Sequence, residues 1–192
     1  KMRGTGVSVT RQGDNIVLNM PNNVTFDSSS SSLKAAGANT LTGGAGADTF
    51  KFAETFNTDK ATTFAAILKQ SAGSSGIVRI TDFVAGTDKL SFSSWNAGSA
   101  AQDIGTSITL ATAQTLNAAA DLGAVYAGVN AIAASTAGGA LSGVVLTVST
   151  GAAAGTYLYI NNATAGVSAS DDMLINLTGL TGTLSAGDFV FA

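Results

Sequence analysis

A nine-residue correspondence between residues 37 and 51 constrains the fold more than any other feature of the sequence. The matching pairs are Gly37 and Gly46, Asn39 and Asp48, and Leu41 and Phe50. The second copy has the pattern Gly-Gly-x-Gly-x-Asp-x-apolar-x, in which a tight turn precedes a short strand. Such units stack their strands in parallel, so we predict a short β-roll with Leu41 and Phe50 facing its interior.

Oxygen atoms that suit Ca²⁺ are concentrated in this repeat. Glycines permit positive φ angles and expose backbone carbonyls to a cation, and Asp48 adds a carboxylate. One turn supplies half of a site, so we expect Asn39 and the carbonyls near Gly37 to complete it. The predicted calcium ligands are Gly37, Asn39, Gly43, Gly44, Ala45, Gly46 and Asp48. The alternative is a glycine-rich turn that binds no metal.

A second turn carries two further carboxylates. Asp82 and Asp88 flank the glycine at position 86. In one interpretation both carboxylates converge on a second calcium ion. In the other, each aspartate caps the turn by accepting a backbone hydrogen bond. The sequence does not decide between the two.

The composition excludes several classes of function. The chain has 192 residues with no His and no Cys, which removes an imidazole base, a Cys-His nucleophile and the usual zinc, haem and iron–sulfur sites. We therefore predict no enzymatic activity. Nine basic residues and a net charge of −3 argue against a nucleic-acid partner. Since no apolar run reaches about 18 residues, we predict no membrane-spanning segment.

Charge is distributed unevenly along the chain. All nine basic residues lie between Lys1 and Lys89, and the only charged residues after Lys89 are five aspartates. Such an acidic half, rich in Ala, Gly and Thr, indicates a site or an export route that disfavours basic side chains.

Alternation of apolar and polar residues predicts most of the strands. Residues 7–10 and 16–20 form a predicted β-hairpin around a Gly-Asp turn. Further strands are predicted at Val24–Phe26, Ile77–Ile80, a segment ending at Phe92, Ile108–Leu110, Leu141–Val148, Tyr157–Ile160, Asp172–Leu177 and Phe189–Phe191. Two helices are predicted, one over Asp59–Gln70 and one within Thr112–Ala134 that glycines split or shorten.

The nonapeptide and the later run Ile80–Leu90 resemble the C-terminal region of RTX (repeats-in-toxin) proteins. The resemblance covers Gly37–Ala192 and implies a mainly β fold. That fold is a short calcium-binding parallel β-roll turn followed by a β-rich capping module with one or two helices. The family also carries an uncleaved C-terminal signal for type I secretion. The residues that match this signal are Asp188, Phe189, Val190, Phe191 and Ala192.

Residues Met2–Gly43 resemble the start of an OmpA-like outer-membrane lipoprotein domain. That family binds peptidoglycan, but the stretch with its diaminopimelate-binding Asp and Arg has no counterpart here, so no such ligand residue is assigned. The resemblance ends where the RTX resemblance begins, which indicates a junction. We therefore divide the chain into residues 1–36, a hairpin segment with a serine-rich linker, and residues 37–192, an RTX-like domain with its secretion signal.

Together these features predict a non-enzymatic, secreted, calcium-binding structural protein of a bacterial surface layer, extracellular fibre or biofilm matrix. We expect it to self-assemble outside the cell or on its surface. The expected partners are further copies of the chain, the type I secretion machinery and outer-membrane surface polysaccharide. Two alternatives remain: the secretion and folding module of an RTX hydrolase such as a serralysin-type protease, and a cell-wall-anchoring module.

Overall fold

The protein is mainly β, as predicted. The structure, a computed structural model, describes residues 8–12, 15–19, 25–27, 40–52, 79–92, 106–136, 139–161, 165–167 and 172–191. The first seven strands are β1 (Ser8–Gln12), β2 (Asn15–Asn19), β3 (Thr25–Asp27), β4 (Thr40–Thr42), β5 (Thr49–Phe52), β6 (Arg79–Ile80) and β7 (Lys89–Phe92). The remaining elements are β8 (Ser107–Leu110), β9 (Gln114–Leu116), helix α1 (Leu122–Gly128), β10 (Ala140–Val148), β11 (Gly155–Asn161), β12 (Met173–Asn176), a 3-10 helix (Ala186–Asp188) and β13 (Phe189–Phe191).

Two sheets contain parallel strands stacked in the same order. In the first sheet β2, β4, β6 and β12 are neighbours, and in the second β3, β5, β7 and β13 are neighbours. Among the described residues, the chain therefore passes from the first sheet to the second four times. We call each passage a rung, so the rungs are β2–β3, β4–β5, β6–β7 and β12–β13. This is the stacked parallel arrangement that the nine-residue repeat predicts.

An antiparallel hairpin extends the first sheet beyond the first rung. Strand β1 pairs with β2 from Ser8 opposite Asn19 to Gln12 opposite Asn15. The predicted hairpin is confirmed, while the residues at its tip lie outside the described part of the chain. The predicted linker and the predicted helix over Asp59–Gln70 also lie outside it.

Residues between the third and fourth rungs extend the first sheet on its other side. Strands β10 and β11 form a long antiparallel pair, which β12 continues. Strand β8 pairs in parallel with the first half of β10, and β9 pairs in parallel with its second half. A single sheet therefore runs from the roll into this extension.

The extended sheet has a hydrophobic core on each face. Along β11, Leu158 and Ile160 face the interior of the roll together with Phe50, whereas Tyr157 and Tyr159 face a second core beneath α1. All five side chains are buried. Successive side chains of a strand point to opposite faces, so one strand contributes to both cores.

Helix α1 is shorter than the helix predicted within Thr112–Ala134. The Asp121 side chain caps it by accepting the N–H of Ala124 at 2.9 Å. Part of the predicted helix forms strand β9, which pairs with β10. A Cβ atom at Gly128 would lie 2.8 Å from the Leu116 side chain. The glycine at the end of the helix therefore permits close packing against β9.

Adjacent residues of β12 test whether both cores stabilise the fold. Leu174 packs in the core beneath α1 and Ile175 packs in the roll. We expect Leu174→Ala and Ile175→Ala each to lower the unfolding free energy by about 2–5 kcal/mol, because each leaves a cavity. Val190 is 40% exposed, so Val190→Ala should change it by less than about 0.5 kcal/mol. Urea denaturation measures all three. A Leu174→Ala cost as small as that of Val190→Ala would contradict the two-core arrangement.

Candidate functional site

The turns that join the two sheets lie against one another and contain most of the predicted site residues. We call them the turn stack, which comprises residues 43–48, 81–88 and 177–188 of the second, third and fourth rungs. The N–H of Thr181 donates to the carbonyl of Phe83, and the N–H of Ala85 donates to the carbonyl of Thr181, both at 2.9 Å. The N–H of Lys89 donates to the carbonyl of Asp48 at 2.8 Å. Each turn is thus bonded to the next.

Asp82 binds the start of the preceding turn. Its Oδ1 accepts the N–H of Gly43 at 2.8 Å, and its Oδ2 accepts the N–H of Gly44 at 2.7 Å. Beside this contact, the hydroxyls of Thr42 and Thr81 are 2.8 Å apart. Both carboxylate oxygens are therefore engaged by backbone donors of another rung.

Asp88 binds the end of the same preceding turn. Its Oδ1 accepts the N–H of Asp48 at 3.0 Å, and its Oδ2 accepts the N–H of Val84 at 2.8 Å. Asp82 and Asp88 therefore contact opposite ends of the turn formed by residues 43–48. These contacts are those of the turn-capping alternative.

Asp48 is buried and folds over the backbone of its own turn. A Cβ atom at Gly43 would lie 2.6 Å from Oδ2 of Asp48. Gly44 and Gly46 have positive φ angles of 88° and 108°, as the glycine-rich pattern predicts. Within the described residues no group of three or more His, Cys, Asp or Glu side chains is placed to hold a metal.

The other predicted calcium ligands do not complete a metal site among the described residues. Ala45 is an exposed residue of the same turn. Gly37 and Asn39 lie outside the described residues. The first calcium site therefore stays a prediction.

Asp188 joins the third rung to the fourth. Its Oδ1 accepts the N–H of Gly86 at 2.6 Å, and its Oδ2 accepts the N–H and the hydroxyl of Ser185 at 2.8 and 3.0 Å. The Lys89 ammonium lies 3.8 Å from Oδ1 and donates to the carbonyl of Gly187 at 2.8 Å. Burial raises the pKa of Asp188, but the hydrogen bonds and Lys89 outweigh burial and hold the pKa below its ordinary value.

The segment predicted as a secretion signal forms the fourth rung. Phe189 is buried, and β13 pairs in parallel with β7. The ring of Phe92 stacks on those of Phe189 and Phe191, each at 6.2 Å between centroids. Val190 faces solvent, and Ala192 lies outside the described residues.

The sequence did not predict the contact between Lys89 and Asp188, because 99 positions separate the two residues.

A second polar cluster lies beneath α1. The hydroxyl of Tyr159 donates to Oδ2 of Asp172, and the ring of Tyr126 meets that of Tyr159 edge-on at 6.0 Å. Burial, and then the charge of Asp172, raise the pKa of Tyr126. All three side chains are buried, so this cluster ties α1, β11 and β12 together and presents no surface to a substrate.

One curated protein shares a segment with this chain. Over 43 residues the chain is 88% identical to the protein named Probable lipoprotein YiaD of Escherichia coli (strain K12). The segment is 22% of this chain and 20% of that protein, so the chain spans about a fifth of the length of its relative. No family model matches the chain, and no solved structure matches it significantly.

These comparisons correct the predicted family. The expected RTX membership is wrong, because the similarity found is to a lipoprotein and no family model matches. The predictions of a surface-layer or fibre protein and of type I secretion fail with it. In the turn stack, the aspartates that flank the glycine turn accept backbone N–H groups. Glycine and aspartate in a turn therefore do not by themselves indicate calcium binding or the RTX family.

The lipoprotein resemblance is supported. The matching segment of 43 residues is one residue longer than the stretch Met2–Gly43, for which the resemblance is predicted. The relative is named as a lipoprotein, and an extracellular location is not shown for this chain. In the part of the chain that the structure describes, no helix is long and apolar enough to cross a membrane.

The close approach of the third and fourth turns depends on Gly179. Its φ is +112°, and a Cβ atom there would overlap the carbonyl oxygen of Thr81. Gly86 has a φ of +85° but open space around the Cβ position. We expect Gly86→Ala to lower the unfolding free energy by about 1–2 kcal/mol from backbone strain. Gly179→Ala should cost at least about twice as much. Equal costs in urea denaturation would show that the two turns do not depend on this contact.

The lowered pKa of Asp188 makes its contribution to stability dependent on pH. Because the pKa is lower in the folded protein than its ordinary value of 3.8, the contribution is present above about pH 4 and is lost as the pH falls through the folded pKa. We expect wild type to be more stable than Asp188→Asn at pH 7 and the difference to shrink below about pH 4. Urea denaturation across this range measures it. A constant difference down to pH 2 would contradict the assignment.

Proposed function

We propose that this chain is a non-catalytic module of the bacterial cell envelope that anchors to the cell wall. The observation that carries the proposal is the segment 88% identical to a probable lipoprotein. The resemblance of Met2–Gly43 to the start of an OmpA-like lipoprotein domain points to peptidoglycan as the binding partner.

The position of the N-terminal strands supports a role for that segment in the whole module. Strand β2 pairs in parallel with β4, with Val17 opposite Thr40 and Asn19 opposite Thr42. Strand β3 pairs in the same way with β5, with Thr25 opposite Thr49. The N-terminal strands are therefore continuous with both sheets of the roll, and the segment would present the rest of the fold at the envelope.

The chemistry of the described side chains supports a non-catalytic role. Asp82, Asp88 and Asp188 are engaged with backbone N–H groups. Asp172 is buried against the hydroxyl of Tyr159. The chain also has no His or Cys to serve as a base or nucleophile. These carboxylates act within the fold rather than towards a substrate.

Purified peptidoglycan sacculi test the proposal. We expect the full chain to sediment with intact sacculi and to return to the supernatant after the sacculi are digested with a muramidase. An unrelated protein of similar size and net charge, carried through the same steps, should stay in the supernatant throughout. Failure to sediment with intact sacculi would refute cell-wall anchoring.

Cell fractionation tests the envelope location separately. We expect the protein in the envelope fraction rather than in the culture medium. Recovery from the medium would contradict the envelope assignment, even if the purified chain binds sacculi.

A further inference from the structure

We infer that the protein's own hydrogen-bond donors hold the turn stack together at Asp82, Asp88 and Asp188, without a calcium ion at these carboxylates. This inference opposes the second calcium site that the sequence suggests. It is independent of the proposed envelope function.

Where the turns of the second and third rungs meet, the carboxylates of Asp82 and Asp88 already have hydrogen-bond donors. Asp82 receives one N–H on each oxygen, from Gly43 and Gly44, and Asp88 likewise receives N–H groups from Asp48 and Val84. Calcium takes six to eight oxygen ligands. Here the groups that converge on each carboxylate are donors, whose partial positive charge takes the place of a cation.

Where the turns of the third and fourth rungs meet, the chain itself supplies a cation, the ammonium group of Lys89. The Lys89 ammonium contacts the carbonyl of Gly187 at 2.8 Å and lies 3.8 Å from the carboxylate of Asp188. A carbonyl and a carboxylate are the two ligand types that calcium takes from a turn. Lys89 is also the last basic residue of the sequence. Its ammonium therefore occupies a position that a metal would otherwise take.

Burial makes these contacts necessary. Asp88 is 3% exposed and Asp188 is 1% exposed. A buried carboxylate is unstable unless hydrogen bonds or an opposite charge compensate it. The N–H groups of Val84 and Gly86 provide that compensation from within the third rung. The charge balance of these contacts is therefore internal to the protein.

Asparagine variants of the full chain test the inference. In Asp82→Asn and Asp88→Asn, the new amide NH₂ must face a backbone N–H, because both oxygens of each aspartate accept one. We expect each variant to melt about 4 °C or more below wild type. The shift should be the same in excess CaCl₂ and in EGTA, as followed by circular dichroism. Lys89→Met should also melt lower, by equal amounts in the two buffers.

Asp121→Asn is the matched control. Asp121 accepts one N–H on one oxygen at the start of α1, and asparagine caps a helix as well as aspartate does. We expect its melting temperature to stay within about 1 °C of wild type in both buffers. If calcium raises the melting temperature of wild type, Asp82→Asn and Asp88→Asn by the same amount, the increase arises at another site and supports the inference.

Two results would overturn the inference. In one, the loss caused by Asp82→Asn or Asp88→Asn appears only in calcium, so that a bound cation stabilises wild type there. In the other, neither variant differs from wild type in either buffer. If the variants do not fold, hydrogen exchange of the Val84 and Gly86 amides in wild type decides. Equal protection in calcium and EGTA supports the inference, and protection that requires calcium overturns it.

Discussion

Hydrogen bonds from backbone N–H groups to carboxylate oxygens hold successive turns of this protein together. The strands they connect are short, and β6 and β12 share one registered pair, Arg79 with Asn176. Strand ladders of that length satisfy few backbone groups, whereas buried turns still need partners for theirs. Asp82, Asp88 and Asp188 supply those partners across the rungs. The stack of rungs therefore depends on side chains in its turns as much as on its sheets.

The extended first sheet must pack against a hydrophobic core on each of its two faces. Strands β10, β11 and β12 cover the interior of the roll with one face and receive helix α1 on the other. The hydrogen bond from Tyr159 to Asp172 lies on the helix-covered face and joins neighbouring strands. The same three strands contribute side chains to both cores. In the described part of the chain we therefore regard the roll and its extension as one packing unit.

Local patterns predicted much of this fold. Alternation predicted β10, β11 and β13 close to their observed bounds, and the repeat predicted that Leu41 and Phe50 would be buried. Helix-forming residues around Leu116 misled, because pairing with β10 outweighed local propensity there. The Gly-Asp turns led to a wrong prediction of the family. The same sequence motif occurs where the aspartate binds a cation and where it accepts backbone N–H groups. The lipoprotein resemblance was correct, since it rests on a long run of specific residues.

By itself the sequence determined the mainly β class, the stacking of turn-and-strand units and the exclusion of His and Cys chemistry. These follow from local pattern and composition, which need no knowledge of distant contacts. Only the tertiary structure decided what the aspartates do. Asp82 meets Gly43 across 39 positions, and Asp188 meets Gly86 across 102. The role of a carboxylate depends on which donors surround it, and here chain-distant turns bring most of those donors.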